Sequence, residues 1–159
     1  LFGGSGGLGI EAISRGCDVL YSVDHQYEAF KTIKENFSLL KLENCFPLKM
    51  DYKKALKYLF EKGIKFDYVF LDPPYGKGLV DDILQYLVDQ QMLNPQACVV
   101  VEELKEVEFK EMSKSLCLMN GFWNLSNTAS AKPLRSSRVS SGLTIAGMIS
   151  LLRASSRYL

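Results

Sequence analysis

A run of glycines near the start constrains this chain more than any other feature. Residues 2 to 9 read Phe2-Gly3-Gly4-Ser5-Gly6-Gly7-Leu8-Gly9, and Gly4, Gly6 and Gly9 fall in the spacing G-x-G-x-x-G. Glycine permits a tight turn, lets a ligand approach backbone N–H groups and, at the third position, lets a helix pack closely on a strand. A helix-like stretch, Ile10 to Arg15, follows. Asp24 stands 20 residues beyond Gly4, at the end of the next expected strand, where a carboxylate accepts hydrogen bonds from ribose hydroxyls. Loop and acid together point to a nucleoside-type cofactor, with Gly3, Gly4, Ser5, Gly6, Gly9 and Asp24 as its binding set and His25 beside them. A glycine loop without a ligand is the rival reading of the loop alone, and His25 reads more readily as a solvated loop residue than as a catalytic base. The loop and Asp24 do not separate NAD from S-adenosylmethionine.

The rest of the chain supplies the frame such a loop needs. Short β-branched or aromatic runs (19–24, 45–51, 67–71 and 97–103) alternate with segments of helical period (27–40, 52–62 and 79–91). The first of these helices places Tyr27, Phe30, Ile33, Phe37 and Leu40 on one stripe. This alternation predicts an α/β fold, Rossmann-like, with a mostly parallel sheet and helices on both faces. Only two residues precede the first glycine, so the strand that should feed the loop is expected to be largely missing and the chain to be a fragment.

Composition agrees with one soluble domain: 159 residues, 47% apolar and 23% charged. No apolar run reaches the roughly 18 residues that span a bilayer, so a cytoplasmic protein is expected. The four cysteines are widely spaced and His25 is the only histidine, so reduced, buried thiols and no metal site are expected. Charge is uneven. Residues 1–120 hold 14 basic and 18 acidic residues, net −4, whereas 121–159 hold five basic residues, no acidic ones and nine serines. Such a shift marks a boundary, and we divide the chain into a core, 1–118, and an atypical Ser/Arg-rich tail, 119–159. Lys53, Lys54 and Lys57 read as a solvated helix face.

The expected strand at 67–71 ends in Asp72-Pro73-Pro74-Tyr75. In a parallel sheet the carboxyl ends of strands line the ligand crevice, so this group should face the glycine loop. Two prolines restrict the backbone and can hold the Asp72 carboxylate and a main-chain carbonyl as paired acceptors for an exocyclic amine. Tyr75 offers a face for the base to stack on. A base amine is a poor nucleophile because its lone pair is delocalised; two acceptors that localise it stabilise the charge developing in attack on a methyl sulfonium. Asp72-Pro73-Pro74 also reads as a simple strand-ending turn with Asp72 as its cap. Asp51 reads two ways as well, as a helix N-cap or as an acceptor for a cofactor amine.

The stretch Leu1 to Gly16, with Asp24, Lys34-Glu35-Asn36 and Phe70-Leu71-Asp72-Pro73-Pro74-Tyr75, resembles the bacterial RsmD-type 16S ribosomal RNA guanine-N2 methyltransferases over residues 1 to about 115. That resemblance implies a class I methyltransferase fold and S-adenosylmethionine held by Gly4 and Gly6, with Asp24 on the ribose and Asp51 near the adenine. It implies Asp72, Pro73, Pro74 and Tyr75 around the target guanine. The product would be N2-methylguanine at position 966 of 16S RNA in a partly assembled small subunit. The base would have to leave its stack, at a cost of about a few kcal/mol. The chain is expected to act as a monomer.

Two departures stand out. The family's acidic residue before Leu1 and its basic RNA-gripping segment are not in this chain, so a body of net −4 is expected to bind RNA poorly. Family members also close on a strand that residues 120–138 do not match; one alternative reading frame of that stretch can encode such a strand, so a frameshift near residue 119 is expected, with a flexible basic tail as the rival. An adenine-N6 methyltransferase, an NAD-dependent oxidoreductase and an inactive remnant remain as alternatives.

Overall fold

The computed structural model describes residues 1–74, 78–102, 116–119 and 122–125, the last two stretches as backbone strands. Tyr75, Glu103 and most of the Ser/Arg-rich tail, and with them the expectations placed there, lie outside the described residues.

The chain enters at the glycine loop and passes directly into α1, Gly7–Ser14, then β1, Leu20–Asp24. Two further turns of the same pattern follow: α2, Tyr27–Leu39, with β2, Cys45–Lys49, and α3, Tyr52–Glu61, with β3, Phe66–Leu71. Next come α4, Leu79–Asp89, and β4, Leu93–Val101, and finally β5, Leu116–Met119, and β6, Phe122–Leu125. β1 pairs with β2 in parallel, and β3 with β4 in parallel. β6 then adds antiparallel to β4, and β5 to β6. This is the expected α/β fold, with two parallel and two antiparallel pairings among the described strands. Its strands divide into a pair, β1-β2, and a set of four, β3-β4-β6-β5.

Side-chain alternation shows how helices cover both faces. On β1, Leu20 meets α1 at Gly9 and Ser22 meets the loop at Gly3, beside Ile33 of α2. Tyr21, which points the other way, packs against the main core, where α3 contributes Leu56 and Leu59 and α4 contributes Ile83, Leu84 and Leu87. Val69, Leu71, Val99 and Val101 supply the sheet side of that core. Ile33, Ile83 and Leu87 are 0% exposed and Phe37 is buried, so the middle of the α2 stripe faces the core, whereas Tyr27 and Leu40 at its ends are exposed.

Most boundaries fall within two residues of expectation, and three differences have a physical reason or consequence. β2 ends at Lys49 rather than 51: the Met50 N–H donates the last ladder bond, to the Asp24 carbonyl at 3.0 Å, and Asp51 then serves as the N-cap of α3. β4 begins at Leu93, four residues early: Phe66 pairs with Leu93 but Tyr68 pairs with Cys98, so β4 bulges between them, with Gln96 at φ 66. Asn94-Pro95-Gln96 reads as a turn in sequence, which hid the strand before it. Finally Phe122–Leu125, inside the segment set apart as a tail, forms β6.

The thiols divide. Cys98 is buried, and burial pushes its pKa up to about 11. Cys17 and Cys45 are half-buried rather than buried, each with its pKa raised chiefly by burial, Cys17 further by Asp18 and Asp67. No metal-ligating group of three is present among the described residues. No described helix is long and apolar enough to cross a membrane.

Candidate functional site

The glycine loop is fixed by its own backbone and by three neighbouring elements. Gly6 N–H donates to the Gly3 carbonyl at 2.7 Å, closing a tight turn, and Gly3 N–H donates to the Val23 carbonyl at 2.8 Å, tying the turn to β1. Gly4 and Gly6 have φ of 54 and 81, the left-handed region where a side chain is strained, and Gly6 stands as the N-cap of α1. Nothing lies within 4 Å of the Cβ position at Gly4, so that side of the loop is open. At Gly9 the reverse holds: a Cβ would sit 2.6 Å from Leu20 Cδ1, so the third glycine lets α1 lie close on β1.

Asp24 does more than its position in the sequence suggests. It is 9% exposed, and its Oδ2 accepts the Gly4 N–H at 3.0 Å while Oδ1 accepts the Gln26 N–H at 2.9 Å. One carboxylate thus pins the loop to the end of β1 and caps the entry to α2. Each oxygen retains further lone-pair capacity for a ligand hydroxyl. His25 is exposed, with Nδ1 3.7 Å from Asp24 Oδ1, which places it at the rim.

Asn36 escaped the sequence reading as a functional residue. Its Nδ2 donates to the Ser5 carbonyl at 2.9 Å, so α2 steadies the outer turn of the loop. The spacing that places Phe37 and Ile33 under the loop puts Asn36 beside it, and Asn36 also belongs to the Lys34-Glu35-Asn36 stretch that carries the family resemblance. Phe2 adds a fourth tie, its ring 5.7 Å from that of Tyr52 at the head of α3.

Asp51 is the N-cap of α3, accepting the Lys53 N–H at 2.9 Å. It is exposed and follows Met50, which is bonded to Asp24, so the carboxyl ends of β1 and β2 bring Asp24 and Asp51 to one rim. The lysines that follow, Lys53, Lys54 and Lys57, are exposed, and Lys57 lies 3.8 Å from Glu61.

Asp72 and Pro74 are exposed and Pro73 is buried, immediately past the end of β3. Asp72 lines the same cavity as Gly3, Gly4, Ser5, Gly6 and Gly9. The Leu1 ammonium, at the foot of the loop, reports both acids: burial lowers its pKa from 8.0 to about 6, and Asp24 and Asp72 oppose that fall. The geometry therefore brings together the glycine loop, Asp24 and Asp72 at the carboxyl ends of parallel strands, with Asp51 and His25 at the edge. This arrangement can present backbone N–H groups and two carboxylates to one ligand.

Comparison with known proteins bears on the family and the fold. The sequence profile described as Conserved hypothetical protein 95 matches residues 1–121. The Bacillus subtilis protein YlbH is 38% identical over 112 residues, 70% of this chain and 61% of its own length. An Escherichia coli protein described as Ribosomal RNA small subunit methyltransferase D is 32% identical over 107 residues, 67% of this chain and 52% of its own. The chain thus spans about half to three-fifths of the curated relatives it matches. A solved structure of a conserved hypothetical protein from Streptococcus pyogenes superposes with a TM-score of 0.65 at 34% identity, covering 77% of this chain and 79% of that one. One from Haemophilus influenzae gives 0.67 at 24% identity, covering 79% and 83%, a likeness of fold.

Proposed function

Because the chain belongs to the Conserved hypothetical protein 95 family, we propose that it carries the catalytic core of an S-adenosylmethionine-dependent methyltransferase acting on the exocyclic N2 amine of a guanine in 16S ribosomal RNA. One observation carries the reading: Leu1–Gly3 is bonded to β3 at Phe70 and to β1 at Val23, which sets the Asp72 turn beside the glycine loop and its partner Asp24 at the carboxyl ends of the two strands.

The donor set suits a nucleoside cofactor. Gly4 leaves its ligand side open, Asp24 keeps acceptor capacity for ribose hydroxyls, and Asp51 supplies an acceptor at the rim for a base amine. When bound, S-adenosylmethionine supplies a methyl group activated on a sulfonium. The remaining work falls to the chain. The Asp72 carboxylate and a main-chain carbonyl of the proline turn accept the two N–H bonds of the guanine amine, localising its lone pair and stabilising the positive charge that grows on nitrogen. Buried Pro73 fixes the turn, so these acceptors need not reorganise during the reaction. Tyr75, which lies outside the described residues, is the ring we assign to stacking on the base. The substrate is RNA of a partly assembled small subunit, at a nucleotide equivalent to guanine 966, and the enzyme works as a cytoplasmic monomer.

The experiment is methyl transfer from labelled S-adenosylmethionine to unmodified small-subunit particles, followed by nucleoside analysis of the RNA. N2-methylguanosine is the expected product. N6-methyladenosine, or cofactor binding with no transfer to guanine, would overturn the reading.

A further inference from the structure

The net −4 that argues against RNA binding is a sum of unlike regions. Residues 27–65, which form α2, β2 and α3, hold nine lysines and five acidic residues, net +4. Residues 66–102, which form β3, α4 and β4, hold six acidic residues and, among those described, no basic one. The fold keeps these two charges apart. β1 bonds to β2 along one edge, while its Val23 carbonyl, on the other edge, accepts from the segment that also reaches Phe70 of β3. β2 therefore lies on the side of β1 away from the acidic strands. Lys31 and Lys57 have a carboxylate partner, at 3.9 and 3.8 Å, and the other seven lysines of this flank have none among the described residues.

Two of these cations stand at the rim of the site and are held by rings. Lys49 ends β2, paired in register with Asp24, and its Nζ lies 4.9 Å from the centre of the Tyr27 ring at the start of α2. Lys53, whose N–H donates to Asp51, has its Nζ 5.7 Å from the ring of Tyr52. A ring face attracts an ammonium and restrains its long side chain, and unlike a carboxylate it leaves the charge uncancelled. Tyr27 is 59% exposed even with Lys49 over it. From the rim, Lys54 and Lys57 continue the charge along α3, exposed where Ala55, Leu56 and Leu59 are buried. Lys53 and Lys57 are about 6 Å apart along the helix axis.

We propose that this edge is the docking surface for the single-stranded RNA that flanks the target guanine, an inference that rests on the ribosomal RNA substrate proposed above. Lys49 and Lys53 take phosphates at the rim, Tyr27 offers its ring to an unpaired base, and Lys54 and Lys57 lead the strand away along α3. Unpaired ammonium groups interleaved with an exposed ring form the surface that tracks a single strand, since phosphates meet the cations and any base can stack on the ring. A single strand rather than a duplex follows from the reaction, because the target base must already stand free of its stack. Orientation follows from the charge division: the acidic side repels the RNA backbone, so the strand approaches over β2 and reaches the site past Asp51. The lysines of α3 that read in sequence as a solvated face thus gain a role from Lys49 and Tyr27, which the fold sets beside the same rim.

The test titrates a fluorescein-labelled single-stranded RNA of about 12 nucleotides into the full chain by anisotropy, at salt from about 50 to 300 mM. The parent is compared with Lys49→Gln plus Lys53→Gln, and with Lys41→Gln plus Lys65→Gln, which removes the same charge at the amino ends of β2 and β3. The rim pair is expected to lose about tenfold in affinity at low salt, and its slope of log K against log salt to fall by about 1.4, about 0.7 for each phosphate contact. The amino-end pair should stay within about twofold of the parent. Should the rim pair fail to fold, Lys54→Gln plus Lys57→Gln carries the test with the same expected change in slope. No binding by the parent, an equal loss in the amino-end pair, or displacement of the RNA by poly-glutamate as readily as by unlabelled RNA would overturn the proposal. Methyl transfer is read separately: N2-methylguanosine formed with the slope unchanged overturns this surface alone, whereas the expected loss in binding without any transfer by the parent supports the surface and overturns the reading of the reaction.

Discussion

The two sides of the site are held in different ways. Around the glycine loop, hydrogen bonds from Gly3, Gly4 and Asn36 and a ring contact from Phe2 converge from β1, α2 and α3. Across the cavity, Asp72 stands exposed at the end of β3, restrained by the prolines that follow it. The loop side is built into the fold, so damage there should register in stability as well as binding. The Asp72 side is built for access, so damage there should register in turnover.

The largest effect expected is on the access side. Asp72→Asn keeps the shape but weakens one acceptor, and methyl transfer should fall by about 10²–10³-fold. Its stability in urea should stay within about 0.5 kcal/mol of the parent, as for other exposed positions. Asp24→Ala should break the pattern the other way, costing about 3 kcal/mol, because it strips a charged partner from the Gly4 and Gln26 N–H groups. Equal destabilisation of both variants would erase the distinction.

A third effect comes from Leu1, which lies between the two sides. Its ammonium titrates at about 6 in the folded chain against 8.0 unfolded. Between these values the unfolded chain binds more protons, so stability should rise as pH goes from 6 to 8, by about 2–3 kcal/mol at most, and be lost again as pH falls through the folded value. Urea midpoints across that window check it, and an extension at Leu1, which converts the amine to an amide, should flatten the curve. The smallest effect expected is Asn36→Ala, about 1 kcal/mol in urea for one hydrogen bond at the outer turn of the loop.

Much of the loop side was legible because its signals are local. Glycines at fixed spacing, an acid after the next strand and a helical stripe through Ile33 and Phe37 are each written in consecutive residues, and the buried stripe followed them. The ties between elements were not legible: that Asp24 bonds Gly4, that Asn36 bonds Ser5 and that Leu1 reaches Phe70 are contacts across 20, 31 and 69 residues. The early start of β4 stayed hidden because a bulge with a turn-like composition interrupts it.

Calorimetric titration of S-adenosylmethionine into the parent chain, Asp24→Ala and Asp72→Asn tests the division of labour most directly. The account predicts one-to-one binding to the parent, binding within about twofold for Asp72→Asn, and a loss of at least about tenfold for Asp24→Ala. Unchanged affinity in Asp24→Ala, or loss confined to Asp72→Asn, would contradict it.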